Sequence, residues 1–193
     1  MNFTKNAHWA GMEVLRALAR GLEVDQEAFV QKCDFYSPSG DHLRLTRKYA
    51  QPPDPKAIGL VSHRDFGTVT VLFNWLGGLQ IQSQQPQNLG EWCFVKPLAG
   101  HAIINLGDSM IKFSNGVLKS AKHRVVPAPG DQGTIDRYSV VYFSRPANSA
   151  LMEPIHEKFK GDEVVKIGGK LGDEEKPYTA GEWMAKRLVQ MGH

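Results

Sequence analysis

The sequence predicts a mainly β domain with flanking helices, built as a double-stranded β-helix, or jelly roll. Apolar segments of strand length recur between residues 43 and 146, separated by loops rich in Gly, Pro, Asn and Asp. No amphipathic run of 10 to 15 residues lies between them, which argues against a parallel sheet with crossover helices. Helical periodicity is confined to the two ends of the chain.

The elements follow in order. Ala10, Val14, Leu15, Leu18 and Leu22 recur at helical spacing from Trp9 onward, and Gly21 is placed to stop the helix. Asp25 is positioned to cap a second short helix through Phe29 and Cys33, and YSPSGD then reads as a turn. Strands are expected at LRLTRK, TVTVLFN, LQIQ after Gly77 and Gly78, WCFV, AIIN, the stretch around His123, and RYSVVYF. QPPDP, SQQPQNLGE and PAPGDQG are loops by composition. After Pro154 the chain turns polar. Thr179 and Glu182 form a capping box ahead of Trp183, Met184, Leu188 and Met191, which predicts a surface-docked final helix. The expected organisation is one domain over 1–193, with a helical lead-in at 1–42, a jelly-roll core at 43–146 and an extension with a helix at 147–193.

Composition narrows the function classes. A net charge of +3 with mixed signs and no Lys/Arg run gives no surface for tracking phosphates, so nucleic acid is not an expected partner. No apolar stretch reaches the roughly 20 residues needed to cross a bilayer, so no membrane partner is expected either. Cys33 and Cys93 show no CxxC spacing and no disulfide framework, and the first residues lack the apolar run of a signal peptide. The expected setting is a reducing, cytoplasmic one.

The chemistry concentrates in V61-S62-H63-R64-D65-F66-G67. Residues two apart in an extended segment project to one side, so His63 and Asp65 can present an imidazole and a carboxylate to one point while Arg64 faces away. His123, in SAKHRVV, is the third candidate. Two histidines and one carboxylate on one face of an octahedron suit Fe(II) oxygenases, because the open positions accept a chelating co-substrate and dioxygen. Taken singly, a histidine in a β protein is more often a hydrogen-bonded or surface residue. His8, His42, His101, His156 and His193 lack a comparable paired carboxylate and are read that way.

Arg137 and Ser139 raise the odds of the metal reading. The same alternation places a guanidinium and a hydroxyl on one strand face, with Tyr138 on the other. Arg offers a planar fork matched to a carboxylate and Ser adds a donor, so a dicarboxylate could chelate metal at one end and be held at the other.

Through GLVSHRDFGTVTVL, GGLQI, INLGDSMIKFSNGVLKSAKHRV and RYSVVYFSRP the chain resembles the 2-oxoglutarate/Fe(II)-dependent dioxygenases of the isopenicillin N synthase-like group. That resemblance implies His63, Asp65 and His123 as Fe(II) ligands, and Arg137 with Ser139 as the site for the distal carboxylate of 2-oxoglutarate. It also implies dioxygen as oxidant, a small-molecule substrate that is oxidised, most often by hydroxylation, and release of succinate and CO2. LRLTRKYA stands where many members have Arg-x-Asn-Tyr-Tyr-Pro, and Tyr49 is the nearest match to their supporting aromatic hydroxyl. Members usually carry a longer N-terminal region, so an uncovered sheet edge or apolar patch, with self-association or a partner chain, is expected. Phe66, Trp75 and Phe143 are candidate lining residues whose simpler reading is core packing. Two other functions fit the same scaffold: an Fe(II) oxidase that does not consume 2-oxoglutarate, and a catalytically silent binding or partner subunit.

Overall fold

A computed structural model describes residues 2–50, 58–160 and 178–190. Its centre is two four-stranded antiparallel sheets. The strands are β1 (His42–Lys48), β2 (Leu60–His63), β3 (Val69–Asn74), β4 (Leu79–Gln82), β5 (Trp92–Phe94), β6 (Ile103–Leu106), β7 (His123–Val125) and β8 (Arg137–Phe143). The first sheet has the order β1-β8-β3-β6 and the second β2-β7-β4-β5. This is the expected double-stranded β-helix, with every predicted strand present.

The apolar core lies behind the first sheet, not between the two. Side chains alternate along each strand, and one set from β3 and β8, including Val69, Val71 and Tyr142, is almost fully buried. Helix α1 (Asn2–Gly21) packs across β3 and β8 and buries Met12, Leu15 and Ala19 there. A Cβ built on Gly11 would sit 3.8 Å from Val69 Cγ1, so the helix backbone itself lies close to the sheet. Phe29, Met110, Phe113 and Trp183 complete this core. Burying a Leu or Phe side chain contributes roughly 1.5–3 kcal/mol.

The other set of side chains faces the second sheet. Directly paired residues of neighbouring antiparallel strands share a face. The pairs Thr70↔Phe143, Leu72↔Val141 and Asn74↔Ser139 join β3 to β8, and Arg44↔Val141, Thr46↔Ser139 and Lys48↔Arg137 join β8 to β1. Asn105 joins from β6 through its pairing with Thr70. The inner face is therefore largely polar and suits a site more than a core. On the outward face of β1, which forms one edge of its sheet, Leu43 and Leu45 are exposed.

The helices differ from expectation in extent and in number. α1 begins at Asn2, well ahead of Trp9, and the Phe3 ring packs edge-on against Phe73 at 5.5 Å, which anchors the added turns. The short helix expected after Asp25 is reduced to a 3-10 turn at Val30–Lys32, and Asp25 Oδ1 accepts locally from the Glu27 amide at 2.7 Å. A short helix, α2 (Asp108–Phe113), was not expected; its first amides are held by the loop after β2, with Asp108 N donating to Asp65 O at 2.8 Å. That loop passes so near that a Cβ on Gly107 would fall 2.2 Å from Gly67 O.

Helix α3 (Ala180–Gln190) opens on the expected capping box: Thr179 N donates to Glu182 Oε2 at 2.9 Å and Glu182 N to Thr179 Oγ1 at 3.3 Å. Trp183 is buried and Leu188 is exposed, so the apolar seam is narrower than predicted. Met191, His193 and the QPPDP loop lie outside the described residues.

Candidate metal centre

The end of β2, the loop behind it and the start of β7 bring His63, Asp65 and His123 together. One donor atom from each lies within 4.8 Å of the others. Asp65 Oδ1 is 3.6 Å from His63 Nε2 and 3.7 Å from His123 Nε2. β2 pairs with β7 in a register that sets His63 directly against His123, and their rings stand 4.3 Å apart. Arg64 turns away, as alternation requires, and donates through Nε to Ser120 O at 3.2 Å.

Hydrogen bonds already aim each group. His63 Nδ1 lies 2.9 Å from Val61 O and His123 Nδ1 lies 3.1 Å from Ala121 O. A carbonyl can only accept, so both Nδ1 atoms carry a proton and both Nε2 atoms face the common point. Asp65 is 7% exposed, and its Oδ2 accepts from Thr70 Oγ1 and Asn105 Nδ2, each at 2.7 Å. Oδ1 is left for the common point.

The charges agree with this division. Burial alone would push the Asp65 carboxyl up; His63, His123, Asn105 and Thr70 outweigh it and hold the group well below the usual carboxylate range. The same carboxylate raises the His63 pKa against the opposing effect of burial. Two imidazole nitrogens and one carboxylate oxygen, all turned to one side, form a donor set that fits a divalent transition metal with open positions.

Arg137 and Ser139 occupy the inner face of β8, both buried, while Tyr138 points outward and is exposed, as alternation predicted. Arg137 Nε donates to Gly77 O at 2.9 Å, linking the first sheet to the chain entering β4 of the second. Burial depresses the Arg137 pKa, as for any cation removed from water. Ser139 Oγ meets Thr46 Oγ1 at 2.5 Å. Arg137 lines a pocket of about 560 Å³ with Lys48, Tyr49, Gln80, Arg124 and Asp131.

A model of the 2OG-Fe(II) oxygenase superfamily matches residues 40–146. The chain belongs to that superfamily. A 2-oxoglutarate-dependent dioxygenase of Aspergillus fumigatus is 36% identical over 186 residues, covering 88% of this chain and 47% of that protein. The 2-oxoglutarate-dependent dioxygenase iboH of Amanita muscaria is 43% identical over 157 residues, covering 81% of this chain and 76% of that protein. A full-length Neurospora crassa protein, solved in complex with alpha-KG and 5-formyluracil, superposes with a TM-score of 0.81 at 26% identity, over 98% of this chain and 58% of that one. The chain thus spans about half the length of the Aspergillus relative. Oxygenases of this superfamily use Fe(II), 2-oxoglutarate and dioxygen.

Several residues around the candidate metal centre are not legible in the sequence. Thr70 and Asn105 read as ordinary strand residues, because only the pairing of β3 with β6 brings both to Asp65. Phe143 is on the inner face, its ring stacked on His42 at 4.7 Å and 5.5 Å from the Arg44 guanidinium, and is not part of the apolar core cluster. Phe66 packs edge-on to Trp183, and Trp75 is exposed. Tyr49 lies past the end of β1, 65% exposed, with Arg47 over its ring.

Proposed function

We propose that this chain is an Fe(II)- and 2-oxoglutarate-dependent dioxygenase that hydroxylates a small organic substrate, releasing succinate and CO2. The observation that carries the reading is Asp65, whose Oδ2 is tied to Thr70 and Asn105 while Oδ1 faces two histidine Nε2 atoms. His63, Asp65 and His123 would hold Fe(II). Bound there with 2-oxoglutarate and dioxygen, the metal supplies the oxidising power for attack on a C–H bond.

The chain's own residues set the geometry. Arg137 and Ser139 would fix the distal carboxylate of 2-oxoglutarate, so that its 2-oxo acid end is presented to the metal and not to solvent. The Thr70 and Asn105 hydrogen bonds keep Asp65 in one rotamer, and the two backbone carbonyls keep both imidazoles in one tautomer. His42, Arg44 and Phe143 form a stacked wall on the inner face, which offers a planar surface and a cation to a substrate. A site of this kind accords with the uracil derivative held by the Neurospora crassa neighbour, although the substrate of this chain is its own. The two free cysteines support a reducing, cytoplasmic setting.

An oxidase on the same scaffold would not need a dicarboxylate clamp, and buried Arg137 favours the co-substrate reading. Anaerobic titration of the Fe(II) protein with 2-oxoglutarate should produce a visible charge-transfer band, and turnover should release one succinate per oxidised substrate. A protein that oxidises substrate without forming succinate would establish the oxidase instead.

A further inference from the structure

We propose that Lys48 is a second cation for the distal carboxylate of 2-oxoglutarate, closing a two-cation clamp with Arg137. The inference rests on the co-substrate reading above and adds a residue on which the resemblance placed no role.

Lys48 is the direct partner of Arg137 in the β1–β8 pairing, and the next pair along the same face is Thr46 with Ser139. Two cations and two hydroxyls thus form one block on the inner face. Like charges placed directly opposite in a sheet are destabilising unless something of opposite sign joins them. Among the described residues no carboxylate pairs with Lys48 Nζ or with Arg137, whose Nε is committed to Gly77 O. Both line the same pocket, in which Arg124 is already engaged, hydrogen-bonded to Gln80 and stacked over Trp92, and in which exposed Asp131 forms an ion pair with neither Lys48 nor Arg137.

The two side chains cross to the second sheet on opposite flanks of β7. Arg137 reaches Gly77, next to Gly78, whose carbonyl accepts from Val126 N at 2.9 Å. The Lys48 ammonium packs against Gly59, where an added Cβ would meet Nζ at 2.9 Å, and Gly59 N donates to Val125 O at 2.8 Å. Gly59 and Gly78 therefore flank the end of β7, one on each side. The two cations therefore enter one pocket from the paired strands β1 and β8, and the distal carboxylate of the co-substrate would lie between them. Tyr49, the nearest match to the family's aromatic hydroxyl, is displaced beyond the strand end, and Lys48 holds the inner-face position opposite Arg137.

The test compares two co-substrates of equal chain length. 2-Oxoglutarate and 2-oxopentanoate share the chelating end, and only the first has a distal carboxylate. Each is titrated anaerobically into the Fe(II)-loaded parent, Lys48→Met and Lys48→Arg, with the charge-transfer band as readout. Lys48→Met should weaken 2-oxoglutarate binding about tenfold, the low end for a charged hydrogen bond because Lys48 is only part-buried. It should leave 2-oxopentanoate binding within twofold, and Lys48→Arg should restore most of the loss. Unchanged 2-oxoglutarate affinity in Lys48→Met, or an equal loss for both acids, would overturn the clamp. Failure of the parent to bind 2-oxoglutarate would instead overturn the co-substrate reading itself.

Discussion

Asn105 Nδ2 lies 2.7 Å from Asp65 Oδ2, a contact made from the far edge of the first sheet to a loop of the second. Together with Thr70 it occupies one carboxylate oxygen and leaves the other to face the two histidines. Outer hydrogen bonds of this kind typically govern metal affinity by about 10- to 100-fold. Asn105→Leu should therefore weaken Fe(II) binding within that range while the fold, read by circular dichroism, is retained. Replacing His63, Asp65 or His123 by Ala should abolish stoichiometric binding. If His123→Ala held iron as tightly as the parent, the ligand assignment would be wrong.

Arg137 should act on the co-substrate alone. Arg137→Leu removes the buried partner of a carboxylate, a loss worth about 2 to 5 kcal/mol. Equilibrium titration should show weaker 2-oxoglutarate binding by that amount and an iron stoichiometry like the parent's. An unaltered 2-oxoglutarate affinity would remove Arg137 from the site.

How much of this site was readable depended on how far apart in sequence its parts lie. His63 with Asp65, and Arg137 with Ser139, each sit two apart in an extended segment, so alternation alone set them side by side. Thr70, Asn105 and Lys48 act through pairings between β3 and β6 and between β1 and β8, and a cross-strand register leaves no mark in one sequence. α2 leaves no periodic mark in the sequence because six residues are too few to show a 3.6-residue period; its start is fixed by carbonyls of the Asp65–Gly67 loop. Phe143, a candidate lining residue whose simpler reading is core packing, ends an apolar strand, yet the larger core is behind the sheet and Phe143 is on the opposite, inner face.

The cysteines should differ in reactivity. Cys33 is 2% exposed, and burial pushes its thiol up to about 12, with Thr68 only partly opposing the shift. A raised thiol pKa means that the reactive thiolate is scarce below that pH, at roughly one part in ten thousand at pH 8. Iodoacetamide at pH 8 should label the half-buried Cys93 in the folded protein and spare Cys33 until denaturant is added. Peptide mass spectrometry that found both modified at equal rates would contradict the burial of Cys33.

The final helix is fastened by charge as well as by Trp183. Arg187 pairs with Asp108 at the start of α2, and both side chains are almost wholly buried, 6% and 1% exposed. The guanidinium also lies 5.2 Å from the ring centres of Phe66 and Trp183. Removing one member of a buried pair leaves a desolvated charge and costs about 3 to 5 kcal/mol. Arg187→Leu should thus lower the melting temperature by roughly 10 °C for a chain of this size. Arg187→Lys keeps the charge but loses the planar stacking, and should fall between the two. The effect should reach the metal centre, because the Asp108 amide donates to Asp65 O and the start of α2 supports the ligand loop. Fe(II) titration of Arg187→Leu at a temperature where it remains folded should show weaker binding than the parent. A melting temperature within a degree of the parent's would mean that the pair does not fasten α3, and unchanged iron affinity in a destabilised variant would confine its role to the helix.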